Sequence, residues 1–431
     1  MSSFDQIAEA SADYLRAGEL VPVGYRNTEA GVIPEDWTVR RLGELAVFIG
    51  SGTTNTKETG EYPLFGSTGL IGTCTAPIYE GEAILVARVG ANAGKLNFVS
   101  GQYGVSDNTI ILRLDSEINI IYLKYWLLRK NLNSLVFGSG QPLITGTQIK
   151  SLPLAIPPQK EQAAIAKALS DIDELLTSLN KFIAKKQAIK TATMQQLLTG
   201  KTRLPAFALR EDGTRKGYTD SELGEIPEDW NIKNIEDIAT VKGGKRLPKG
   251  EQLLTTPTKH PYIRVADMFY GGVTTDDLRF VPEHVAPLIK NYTMNENEIF
   301  ISVAGTLGIV GKIPKLLNGA NLTENADRIS TEINPDFLLY WLMAEKIQNE
   351  IAQQSTVGAQ PKLALARIQQ FPVPVPLQDR EQAAIATILS DMHIEIQTLE
   401  KRLFKTRQIK QGMMQELLTG KTRLIQGSEA R

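Results

Sequence analysis

The segment Gly90-Ala-Asn-Ala-Gly94-Lys95-Leu96 is the first stretch of this 431-residue chain whose residue types and spacing could do chemistry. A glycine-rich loop ending in lysine can cradle phosphate on its backbone N–H groups, with a following Ser or Thr on Mg²⁺. Here three residues separate the glycines where that loop has four, and Leu96 stands where a hydroxyl is needed. A second such turn, Gly305–Lys312, errs the other way, with five. Asn334-Pro335-Asp336-Phe337 resembles the Asn-Pro-Pro-Tyr/Phe motif of amino-methyltransferases, but its third position is aspartate. Asn as N-cap, Pro at N1 and Asp at N2 make an ordinary helix start. The single cysteine, Cys74, excludes a disulfide framework and a Cys-based zinc site, and His260, His284 and His393 are too scattered for a metal cluster. No intact acid/base, nucleophile or metal constellation is present, so the chain reads as non-catalytic.

Two other residue types invite a binding role. Arg88 and Arg264 each sit inside an apolar run, where a guanidinium needs a partner, either a ligand or a structural ion pair. Trp37 and Trp230 could serve as stacking platforms, but both follow Pro-Glu-Asp, and that shared position argues for core packing.

The elements that must hold these residues come in duplicate. Glu161–Leu204 aligns with Glu381–Leu424 without a gap, and 24 of 44 positions are identical, which makes the repeat a duplicated domain-plus-helix unit. Its period is far longer than the ~20–50 residues of solenoid repeats. Each globular segment begins with Ile-Pro-Glu-Asp-Trp, at Ile33–Trp37 and Ile226–Trp230. From Glu161 to Leu198 there is neither proline nor glycine, and Ile165, Leu169, Ile172, Leu176, Leu179 and Ile183 recur at steps of four and three. That spacing predicts a long helix with a heptad seam. Ile385, Leu389, Met392, Ile396, Leu399 and Leu403 repeat it. Glu161 and Glu381 fall in the first turns, where negative charge complements the dipole, and Gly200 and Gly420 stand as C′ glycines. About 38 residues at ~1.5 Å rise give a rod of about 57 Å. The apolar seams are covered economically if the two helices pack together. Mid-seam the apolar pattern lapses at Lys186, Lys190, Thr406 and Lys410, which either fix register or form a hydrated weak spot. Parallel and antiparallel packing both satisfy the seam. Antiparallel packing, which gives a duplicated chain a pseudo-two-fold relation, is the expected one.

The predicted fold is α/β (α+β): two globular mixed α/β domains separated by two long helices in an antiparallel coiled coil. Short apolar runs at Ala83–Val89 and Glu298–Val303 read as strands, and Tyr122–Leu128 and Phe337–Leu342 as helices. Each globular segment ends on a Gln-Pro pair, Gln141-Pro142 and Gln360-Pro361, followed by a proline-spaced strand. The expected organisation is an N-terminal extension at 1–27, a first domain at 28–158, a first long helix at 159–204, a linker and second domain at 205–376, and a second helix with tail at 377–431. Composition suits a globular protein, with 42% hydrophobic and 22% charged residues. A net charge of −1 gives no bulk support to nucleic-acid binding, although local distribution matters more. No signal peptide or membrane span is evident, and the expected location is cytoplasmic.

The tandem Gly-x-Ile-Pro-Glu-Asp-Trp motifs, Pro157-Pro158-Gln159-Lys160-Glu161-Gln162 with its counterpart Pro376–Gln382, and the paired Leu-Leu-Thr-Gly-Lys-Thr-Arg-Leu endings together resemble the specificity subunit of type I restriction–modification systems. The resemblance covers nearly the whole chain. One departure is Leu377 in place of the second proline, with one extra residue. The resemblance implies two target recognition domains, each reading one half of a split site in double-stranded DNA. It implies that the helices set the spacer and dock two modification (methyltransferase) subunits, joined by restriction/translocase subunits. S-adenosylmethionine, ATP and Mg²⁺ would belong to those partners, with no cofactor on this chain. The rod is compatible with half-sites about one helical turn, ~34–36 Å, apart.

On this resemblance the candidate DNA contacts lie in the divergent loops. They are Ser51, Thr53, Lys57, Ser67, Arg88, Asn92 and Lys95 in the first domain. In the second they are Lys245, Arg246, Lys249, Lys259, Arg264, Asp267, Thr306 and Lys312. Arg and Lys read guanine and neutralise phosphate, while Asn suits adenine. A solvated surface charge is the competing reading for each. The lysines at 181, 185, 186 and 190 face either DNA or only solvent.

Overall fold

A computed structural model of the chain describes residues 21–55, 59–136, 143–354 and 362–424. It divides into two compact units, 1–180 with 401–431, and 181–400. The dividing points fall inside the two long helices, Gln159–Leu197 and Asp379–Leu417, so each unit owns part of both.

Each unit opens on a hairpin, Tyr25–Thr28 with Gly31–Pro34 and Tyr218–Ser221 with Gly224–Pro227. Its central sheet is antiparallel and four-stranded. The order in the first unit is Ala46–Ser51, Thr109–Leu114, Ala83–Ala87, Leu96–Val99. In the second it is Ala239–Gly243, Ala326–Thr331, Ile299–Ser302, Val310–Lys312. A second four-stranded sheet includes one parallel pairing in each unit, at Gly104 with Leu64 and at Tyr262 with Asn321. The proline-spaced segments are strands, Pro153–Ile156 on Thr38–Arg41 and Pro372–Pro376 on Trp230–Asn234. Such two-stranded pairs tolerate prolines because an edge strand can spare N–H groups.

One face of each central sheet carries the main core. Ile84, Val86, Ile110 and Leu112 pack with Tyr122 and Trp126 of the helix Ile120–Lys130 in the first unit. Ile299, Ile301 and Ile329 pack with Phe337, Leu338 and Trp341 of Pro335–Met343 in the second. Residues of the long helices and of the turns just past them complete both cores: Ile165, Leu169, Leu417 and Leu418 in one, Leu197, Leu198, Ile385 and Leu389 in the other. The heptad seam is therefore spent partly on the domains. Within each unit the helix segments run antiparallel, shown by Asp173 on Lys410 and Asn180 on Arg407, and by Lys186 on Glu395 and Lys190 on His393. Among the described residues no helix is long and apolar enough to cross a membrane, and no group of three His, Cys, Asp or Glu side chains could hold a metal.

Candidate nucleic-acid interface

The repeated motifs converge on one junction in each unit. Gly420 has φ +69° as the helix C′ residue, and a Cβ there would come within 2.5 Å of Pro34. Gly200, also at +69°, is pressed in the same way on Pro227. Only glycine combines that backbone angle with that approach. Three residues on, Arg423 stacks on the buried Trp37 and donates to both Asp36 and Glu161, with Nε–Oε1 of Glu161 at 2.8 Å. Arg203 does the same with Trp230, Asp229 and Glu381. The indole Nε1 groups of Trp37 and Trp230 donate to Glu161 and Glu381 at 3.1 and 3.3 Å. The tryptophans are thus core residues, and the two glutamates, in the first helical turns as expected, are 4% and 1% exposed and also serve as buried clasp residues.

Electrostatics follow the burial. The Arg423 guanidinium holds the Asp36 carboxyl below its usual range, and its own pKa is raised chiefly by the Glu161 hydrogen bond. Burial opposes charge on Asp229, but hydrogen bonds from Arg203 and Lys216 outweigh it and hold its carboxyl low. At the more deeply enclosed Glu381 burial prevails and pushes the carboxyl up against the same arginine.

A second pair of repeated contacts sets each domain on the helices. The buried Gln162 side chain accepts from Asn119 N at 2.8 Å, and Gln382 accepts from Asn334 N at 3.0 Å. Asn119 and Asn334 in turn cap the domain helices, so Asn334 is the N-cap its sequence context implies. The mid-seam lysines are paired across the helices. Lys410 binds Asp173 at 2.6 Å beneath the Tyr125 ring, and Lys190 meets His393 Nδ1 at 3.1 Å beneath Tyr340. Lys186 bridges to Glu395, while Lys181 and Lys185 are exposed. Burial, with Lys190 adding to it, lowers the His393 pKa to about 4.

The candidate contact residues scatter around the sheet ends. Arg88 Nη1 donates to Ser51 Oγ at 3.2 Å, which brings these two together. Thr53 bonds the Tyr79 hydroxyl, Ser67 lies in a hairpin turn, and Asn92 and Lys95 sit in the tight turn after Ala83–Ala87. Lys57 lies outside the described residues, as do Gln141-Pro142 and Gln360-Pro361. In the second unit Lys245 and Arg246 are exposed on the rim of a cavity of about 1190 Å³, also lined by Gly305, Asn325, Asp327 and Lys362. Thr306, next to that rim, and Lys249 and Lys259 are exposed. The remaining three are committed internally. Arg264 forms ion pairs with Asp267 and Asp277, Asp267 is buried beneath it, and Lys312 pairs with Asp336 at 2.9 Å. The apolar run around Arg264 therefore holds a structural ion pair.

Sequence reading missed the arginine clasps, although Arg203 and Arg423 lie inside the aligned repeat. It also missed Tyr25 and Tyr218, whose hydroxyls donate to Gly420 O and Gly200 O. Ser106-Asp107-Asn108 and Thr323-Glu324-Asn325, the turns leading into the central strand, were readable as another repeated motif. Asp327 left no signal in spacing.

The architecture matches known proteins. A family model, the type I restriction modification DNA specificity domain, matches residues 34–191 and again 227–406. The type I restriction enzyme MjaVIII specificity subunit of Methanocaldococcus jannaschii is 26% identical, over 91% of this chain and 94% of that protein. The Escherichia coli EcoDI specificity subunit is 23% identical over 87% and 85%. The crystal structure of the S subunit of a type I restriction–modification system from M. genitalium shares the fold, with a TM-score of 0.59 at 20% identity, over 88% of this chain and 96% of that one. With both repeated halves matched, the chain belongs to the type I restriction–modification DNA specificity family and is a specificity subunit.

Proposed function

We propose that each unit reads one half of a bipartite DNA target and that the chain performs no chemistry itself. The observation that carries this reading is the pairing of an identical frame with unlike sheet ends. Hairpin, clasp, glutamine bracket and strand order repeat between the units, while the side chains at the strand ends differ. Two modules held alike but lined differently suit two different half-sites.

The long helices then serve as spacer and as docking surface. Their exposed apolar residues Leu175, Phe182 and Ile189 on the first helix and Ile394, Phe404 and Ile409 on the second supply surface for the two modification subunits, with restriction/translocase subunits joining that assembly. Adenine methylation, S-adenosylmethionine, ATP and Mg²⁺ belong to those partners, and the complex works in the cytoplasm. Exchanging Asp220–Pro376 for the segment of a relative that keeps Asp229 and Trp230 tests this. One half-site changes and the other persists. A change in both halves, or in neither, refutes independent reading.

A further inference from the structure

The central sheets of the two units end in corresponding places. Arg88 N donates to Asn108 O at 3.0 Å and Ile144 N to Arg88 O at 2.9 Å. Val303 N donates to Asn325 O at 2.8 Å and Leu363 N to Val303 O at 2.9 Å. Ile110 lies opposite Ser51 and Val86, as Asp327 lies opposite Gly243 and Ile301. Arg88 thus corresponds to Val303, and Asp327 to Ile110.

Ile110 is a core residue, whereas Asp327 puts a carboxylate at the same strand position. It is 5% exposed and lines the cavity with Lys245, Arg246 and Lys362. Among the described residues no hydrogen bond or ion pair reaches its side chain. Burial pushes its carboxyl up to about 6, opposed by the charge of Lys362. A carboxylate enclosed at a cavity wall, with no hydrogen bond and only the charge of Lys362 to offset its burial, lowers stability, and side chains kept at such a cost are characteristic of functional sites.

We propose that Asp327 reads a base, accepting a hydrogen bond from the exocyclic amino group of a cytosine or adenine in the half-site of the second unit. This rests on the bipartite reading above. The flanking lysines and arginine suit phosphate, which a carboxylate repels, so the carboxylate needs a neutral donor. In the major groove the donors are cytosine N4 and adenine N6; guanine and thymine present acceptors that an aspartate rejects. Arg88, at the matching end of the first unit, has the opposite hydrogen-bonding sense and suits the N7 and O6 of guanine.

The test uses the chain assembled with its modification subunits, as wild type, Asp327→Asn and Asp327→Ile. Methylated motifs are mapped in cells. Duplexes lacking one amino group at a time, by purine for adenine or 2-pyrimidinone for cytosine, are assayed for binding. At one position of the second half-site, removing the amino group weakens wild-type binding about 5- to 150-fold. The base analogue that does so tells cytosine from adenine. The same removal leaves Asp327→Ile nearly unaffected, and its methylated motif is relaxed there alone. Thermal stability of Asp327→Ile at neutral pH is equal or higher. An unchanged motif in both variants, equal penalties in variant and wild type, or lowered stability with both half-sites lost together overturns the proposal. A wild-type motif without a second half would instead refute the bipartite reading.

Discussion

At the scale of single residues, the clasp arginines are the most consequential side chains in the structure. Arg423→Ala removes the ion-pair partner of the enclosed Glu161, and Arg203→Ala removes that of Glu381. Each is expected to cost about 3–5 kcal/mol, measured by denaturant unfolding. Combining Arg423→Ala with Glu161→Gln should cost less than the sum of the two, since both changes remove the same ion pair. His393 offers a pH test. Its folded-state pKa of about 4 lies below its ordinary 6.5, so the unfolded chain takes up the proton first. Stability is complete above pH ~6.5 and declines as pH falls through about 4. His393→Asp recreates at Lys190 the pair that Asp173 makes with Lys410. It should raise the melting temperature at pH 7 and flatten that decline; an unchanged pH profile would show that His393 is not its source. The clasp was half legible in sequence. Repetition marked Glu161, Asp36 and Arg423, but helix position alone suggested a dipole role for the glutamate, because its partner lies 262 residues away.

At the scale of elements, the helices were the most legible part of the chain. Thirty-nine-residue helices with apolar steps of four and three leave little choice of period. Their ends were legible too, because glycine at positive φ is a local demand. Pairing partners were not, since register depends on contacts distant in sequence. The mid-seam lysines illustrate the difference, being open to two readings in sequence and occupied by cross-helix pairs in the structure. The spacer role is testable here. Inserting four residues after Lys186, and four more beside Glu395 to keep facing stretches matched, lengthens each helix by ~6 Å. At about 3.4 Å per base pair the methylated motif should gain one or two spacer positions, with both half-sites unchanged. An unchanged spacer in an active complex would show that the helices tether the domains without measuring.

At the scale of the whole molecule, duplication is the organising fact, and it was legible from the start, because identical residues at a fixed offset need no structure to be seen. What sequence could not supply was the surface each unit presents. Arg88 and Asp327 differ in charge and stand at offset strand positions. Arg88 matches Val303 and Asp327 matches Ile110, which emerges only from the backbone bonds of Asn108 to Arg88 and of Asn325 to Val303. Three of the candidate contacts, Arg264, Asp267 and Lys312, are spent on internal ion pairs for the same reason: residue type shows the capacity to bind, whereas neighbours decide what is bound. On the bipartite reading, this chain supplies a two-part address to a methyltransferase. Genome-wide mapping of methylated adenines in the host, with and without this chain, tests it most directly. One motif should vanish with the chain, made of two unlike halves flanking a fixed unspecified spacer. Methylation that persists without the chain, or a chain-dependent motif that is a single continuous block, would contradict it.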